Sequence, residues 1–79
     1  MVHDVQDKIR MIDEELIRLL ADRVALTQEM SEDDPEAISV EQQGDTVAFW
    51  DESADEHGWN PSILVRICRG ILELCRQAD

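Results

Sequence analysis

One arginine stands where a leucine belongs. Val5, Ile9, Ile12, Leu16, Leu19, Leu26 and Met30 recur at alternating steps of four and three, and Arg23 fills the remaining place. Such spacing marks one face of a long helix with coiled-coil character. A guanidinium in an apolar seam loses hydration and needs an anionic or hydrogen-bonding partner. Arg23 therefore either snorkels or pairs with a glutamate across helices, or it holds an anionic ligand with its planar fork. Gln43 is a second polar residue on an apolar stripe, either an amide at a core edge or a hydrogen-bonding group turned toward a ligand. Cys68 and Cys75 lie seven apart on a helical pattern. Two turns separate them by roughly 10 Å, beyond the disulfide Cα limit of roughly 7 Å. They read as buried, inert thiols. With His3 and His57 they show no recognised zinc spacing, so no metal is expected. Nucleophile elbows, phosphate-binding loops and dinucleotide glycine motifs are absent.

The elements that position these residues are all helical. The first helix is predicted from Asp4, a candidate cap, to Met30, a span of about 40 Å. Asp13, Glu14, Arg18 and Asp22 occupy its exposed face, with Glu14 and Arg18 suitably spaced for an ion pair. Ser31 to Glu36 is polar, acidic and stopped by Pro35, hence a loop. A weaker helix is expected from about Pro35 to Glu56, with Ser39 and Gln42 offering an alternative capping-box start. Its stripe is Val40, Gln43, Val47, Trp50 and Ala54, and Gly44, Asp45 and Thr46 cost it propensity. Gly58 ends it in a left-handed cap. Asn60-Pro61 opens the last helix, whose apolar line is Leu64, Ile67, Ile71, Leu74 and Ala78. Gly70 within it suggests a close helix approach. Arg66, Arg69 and Arg76 give this helix positive charge. Between Arg23 and Arg66 there is no lysine or arginine, while Glu29 through Glu56 supply eleven acids. Pairing of the three arginines with those acids is the simplest expectation.

Seventy-nine residues allow one small domain, spanning 1–79. Chains of this size often draw extra core from association, metals or disulfides. The first helix is too long for the two remaining segments to cover, so a second copy is the simplest cover. The net charge is −12, from 19 acids against 7 bases. Nucleic acid and anionic membranes are poor partners for that surface. Lys8 is the only lysine, a composition expected of a salt-adapted cytoplasm. With no membrane span and no signal sequence in the pattern, the chain reads as soluble and cytoplasmic.

The run from Val5 to Leu26 resembles the first helix of the all-helical chorismate mutases, the AroQ class. Their "IDxxLxxLLxxR" core stands here as Ile12-Asp13, Leu16, Leu19-Leu20 and Arg23. The layout of long helix, loop, shorter helix, His57-Gly58-Trp59 turn and final helix fits more loosely. The resemblance implies an all-α chain of three helices in an intertwined homodimer, each site built from both chains. It implies rearrangement of chorismate to prephenate, without cofactor or covalent step, for aromatic amino acid biosynthesis. The substrate is a dianion, so such a site works by positioning and by fixed cations and donors. By resemblance, Arg23 holds a substrate carboxylate and Gln43 matches a catalytic glutamate or glutamine.

This chain departs from the family at several positions. An arginine expected early in the first helix falls on Gln6, and one on the second helix falls on Gln42. A lysine expected after the first helix meets Glu32-Asp33-Asp34. A late hydroxyl residue aligns with Cys75, and a further glutamine falls at or beyond Asp79, with Gln77 nearby. The expectation is a chorismate-mutase-like dimer with a degenerate anion site, weakly active or a non-catalytic ligand-binding or regulatory module. An active chorismate mutase or an isochorismate-pyruvate lyase is one alternative, and a helical protein-interaction module is another.

Overall fold

A computed structural model describes residues 2–34 and 40–77 of the chain. It consists of three helices: α1 (Val2–Asp33), α2 (Val40–His57) and α3 (Pro61–Gln77). No strand occurs among the described residues. The molecule measures 49 × 27 × 16 Å. Thirty-two residues of helix extend about 48 Å, so α1 sets the long axis.

α1 is longer than its stripe predicts. It starts before Asp4, which lies in its first turn rather than at its cap. It also absorbs Ser31, Glu32 and Asp33, expected as loop. The Asp34 amide still donates to the Met30 carbonyl at 2.8 Å. Pro35 restricts only the residue before it, and nothing in Ser31–Asp33 breaks a helix by itself. The start signals expected at Pro35 and Ser39 lie outside the described residues, as does Ala78.

The corner between α2 and α3 follows from local chemistry. The Trp59 amide donates to the Ala54 carbonyl at 2.8 Å and the Gly58 amide to the Asp55 carbonyl at 3.1 Å. This is a Schellman closure, with Gly58 left-handed at φ 72°. The His57 ring stacks on Trp59 at 4.6 Å. It also places Nδ1 2.9 Å from the Ser53 carbonyl, which requires the proton on that nitrogen. Asn60 then caps α3, its Oδ1 accepting from the Ser62 amide at 2.9 Å. Pro61 takes the first helical position, where a missing amide costs nothing.

α3 packs against both α2 and α1, while α1 and α2 make no close approach to each other among the described residues. On α2 the expected stripe turns inward: Gln43, Val47 and Trp50 are half-buried and Ala54 is buried. On α3 the inward face is Leu64, Cys68, Ile71 and Cys75. Ile67 and Leu74, on the expected apolar line of α3, are 49% and 43% exposed in the single chain. Gly70 has no atom within 4 Å of an added Cβ, so it marks no close approach among the described residues.

Little is covered by this packing. Ala54 and Cys68 are the only buried apolar residues described. Half-buried positions on α1 begin at Leu20, and every described residue from Asp4 to Leu19 is exposed. The first half of α1 is thus an arm extending past the other helices. It carries Val5, Ile9, Ile12, Leu16 and Leu19, each at least half exposed.

The charges point outward. Arg10 pairs with Glu14 at 3.5 Å. Arg18 pairs with Glu15 and with Asp22, rather than with Glu14 as the spacing suggests. The Glu15 hydrogen bond holds the Arg18 guanidinium above its ordinary value, desolvation opposes this, and Asp22 adds to the rise. Arg66, Arg69 and Arg76 make no ion pair among the described residues. The expected pairing with the acids between Glu29 and Glu56 is not seen among the described residues, and Glu36 and the Glu41 side chain lie outside them. α2 and α3 meet through apolar faces, which turns the charged faces of both toward solvent.

Candidate functional site

Arg23 sits on the half of α1 that meets α3, and it is half-buried. Its Nη1 donates to Cys75 Sγ at 3.5 Å, across 52 residues of sequence. No carboxylate pairs with it among the described residues. In a chain with 19 acids, that leaves a cation with a sulfur as its described side-chain partner. Snorkelling along the apolar seam and pairing across helices were both open from sequence. No glutamate pairs with it among the described residues, and its cross-helix partner at the α1–α3 junction is Cys75.

The neighbours are arranged by helical spacing. Thr27, one turn on, donates its hydroxyl to the Arg23 carbonyl at 2.8 Å, so that hydroxyl is spent on the helix itself. Cys68 is 1% exposed and lies two turns before Cys75 on the same face. Burial pushes its thiol up, while the positive charges of Arg23 and Arg69 pull it the other way. Arg23 thus touches Cys75 by a hydrogen bond and acts on Cys68 through its charge. Cys75 differs from Cys68 in being only half-buried, so the expectation of two buried thiols holds for Cys68 alone.

The remaining candidates are dispersed. Gln43 is half-buried on the inward face of α2 and Gln42 is exposed beside it. Both residues engage in polar interactions. The helices that carry Gln43 and Arg23, α2 and α1, both pack on α3. Gln6 is exposed on the arm. Seventeen residues of helix separate Gln6 from Arg23, or about 26 Å. Within one chain these two cannot hold the same small ligand, and only a second copy can bring Gln6 to an Arg23. The acids at Glu32, Asp33 and Asp34 are exposed at the end of α1.

Sequence reasoning overlooked Cys68 as part of this surrounding. Its spacing from Cys75, seven residues, was the available signal for a shared face. Among the described residues no group of three or more histidines, cysteines and acids is placed to hold a metal ion. No described helix is long and apolar enough to cross a membrane.

Chemically, the junction offers a fixed cation beside a soft nucleophile, open on one side. A guanidinium in this position can grip a carboxylate in two places. Comparisons with protein-family models, with curated proteins and with solved structures gave no match for this chain.

Proposed function

We propose that this chain forms a homodimer of the chorismate-mutase type whose anion site is degenerate, serving to bind a small dicarboxylate rather than to turn it over efficiently. The observation that carries this reading is Arg23: half-buried, without a carboxylate partner among the described residues, and turned onto Cys75. The Ile12-to-Arg23 pattern supports the family, and the uncovered arm of α1 supports the second copy.

The chemistry of the rearrangement explains the weak activity. A dianion whose transition state gathers negative charge needs several fixed cations. Gln6, Gln42 and the acidic stretch at Glu32–Asp34 stand where the family carries them. Each lost charge-assisted contact costs about 1.5–3 kcal/mol. Three such losses remove roughly three or more powers of ten in rate. The acids near the end of α1 also repel a dianion, an effect that salt screens.

The test is chorismate consumption at low and high potassium chloride, together with the melting temperature with and without chorismate, for wild type and Arg23→Ala. We expect turnover near the buffer blank and a chorismate-dependent rise in melting temperature that Arg23→Ala abolishes. Rapid formation of prephenate refutes degeneracy and restores the active mutase, and pyruvate release from isochorismate does the same for the lyase. A melting temperature indifferent to chorismate, with a partner protein co-purifying, replaces the reading with an interaction module.

A further inference from the structure

The pairing of Arg23 with Cys75 adds a chemical capability that a hydroxyl at the same place lacks. Cys75 does not stand alone. A guanidinium reaches it from another helix at 3.5 Å, and that guanidinium has no described carboxylate of its own. An anion captured by Arg23 is therefore delivered next to a thiol. The second thiol, Cys68, is 1% exposed and serves as an internal reference in the same helix.

We infer that Arg23 and Cys75 form a covalent-modification site for small carboxylates that bear an electrophilic carbon, in particular carboxylates conjugated to a double bond. Arg23 grips the carboxylate, which sets the electrophilic carbon beside Sγ. The Sγ–C bond forms at the β-carbon. The π pair moves toward the carboxylate, where the guanidinium faces the developing charge. The thiol proton ends on the α-carbon, and nothing is oxidised or reduced. Cys68 lies about 10 Å along the helix, so it does not compete for the adduct as a disulfide partner. Such an adduct fills the space at Arg23 and closes the site to reversible ligands. This inference rests on the reading of Arg23 as an anion-holding cation.

The global charge of the chain, −12, works against this preference. By default an anionic reagent reacts more slowly with the folded protein than a neutral one of the same shape. That makes the comparison of iodoacetate with iodoacetamide decisive. In each reaction the Sγ–C bond forms, iodide leaves with its electron pair and the thiol proton passes to solvent. The ratio of the two rates cancels the intrinsic reactivity of the thiol. Rates at Cys75 and Cys68 are followed separately by peptide mass analysis, in the folded chain and in denaturant.

We expect Cys75 to be labelled and Cys68 spared in the folded chain. The iodoacetate-to-iodoacetamide ratio at Cys75 should exceed its value in denaturant by about tenfold. Arg23→Ala should bring the folded ratio down to or below the denatured one, and Arg23→Lys should retain part of the preference. Fumarate should then add to Cys75 of wild type faster than its uncharged dimethyl ester does, relative to the denatured chain. A folded ratio equal to or below the denatured one overturns the inference, as does a ratio unchanged in Arg23→Ala. Labelling of Cys68 marks a variant that has opened. Arg23→Lys then carries the comparison, and if it opens too the wild-type ratio decides. Failure here remains separable from failure of the proposed function. A chain that responds to chorismate but shows no reagent preference loses the covalent site alone, and a preference without any chorismate response loses only the chorismate-type ligand.

Discussion

Leu16 lies in the middle of the α1 arm and is 56% exposed. If a second copy covers the stripe, truncating this side chain weakens the dimer. Full burial of a leucine is worth about 1.5–3 kcal/mol, and the exposed half represents about 1 kcal/mol. A two-fold dimer contains the residue twice, so Leu16→Ala costs about 2 kcal/mol of association free energy. That corresponds to a dissociation constant raised about thirtyfold. Any cavity left unfilled adds to this. Ile17 supplies the control, because it is 66% exposed yet lies off the four-three stripe. Ile17→Ala should change the constant by much less. Sedimentation velocity over a dilution series measures both variants and wild type. A wild-type chain that sediments as a folded monomer at micromolar concentration refutes the argument. Equal losses from Leu16→Ala and Ile17→Ala refute the stripe as the contact surface.

Two further outcomes follow from local features. Gly58→Ala should destabilise by about 1–2 kcal/mol, read from denaturant unfolding. The cost is conformational, since φ is 72° and no atom lies within 4 Å of an added Cβ; an unchanged midpoint refutes the left-handed corner. The folded state raises the Cys68 thiol above its ordinary value near 9.0 through burial. A folded state that holds a proton more tightly contributes stability fully present below the unfolded value and lost as pH rises through the folded one. Stability should therefore decline above about pH 9, and the same titration on Cys68→Ala should lack that part of the decline. An identical slope in both proteins excludes Cys68 as its source.

The features legible in the sequence are those determined within a few residues. Gly58, Asn60 and Pro61 specify the α2–α3 corner because each answers a local backbone requirement. The alternation of four and three in α1 and the inward stripe of α2 are likewise visible as helical periods. The end of α1 was hidden because Ser31–Asp33 is polar without being a breaker, and only Pro35 sets a limit. The part of α3 that faces its own chain was not legible for a different reason. Apolar residues cover more than half of that helix, from Ile63 and Ile67 round to Leu64 and Cys68. Periodicity does not say which part of so broad an arc meets the same chain. Arg23 was conspicuous as an intruder in its stripe, but its contact with Cys75 depends on how α1 crosses α3, which no local pattern encodes.

That Ala54 and Cys68 are the buried apolar residues among those described also has a calorimetric meaning. The heat capacity of unfolding comes mainly from apolar surface newly exposed to water, and typical domains gain about 12–15 cal/mol/K per residue. A single chain of this shape already exposes most of its large apolar side chains, so its own melting contributes far less than its length suggests. Any heat capacity near the ordinary per-residue value has to come from surface that another chain was covering. The curvature of the stability profile with temperature thus reports directly on how much of the α1 arm and of the outer α3 face is sheltered in the assembled protein.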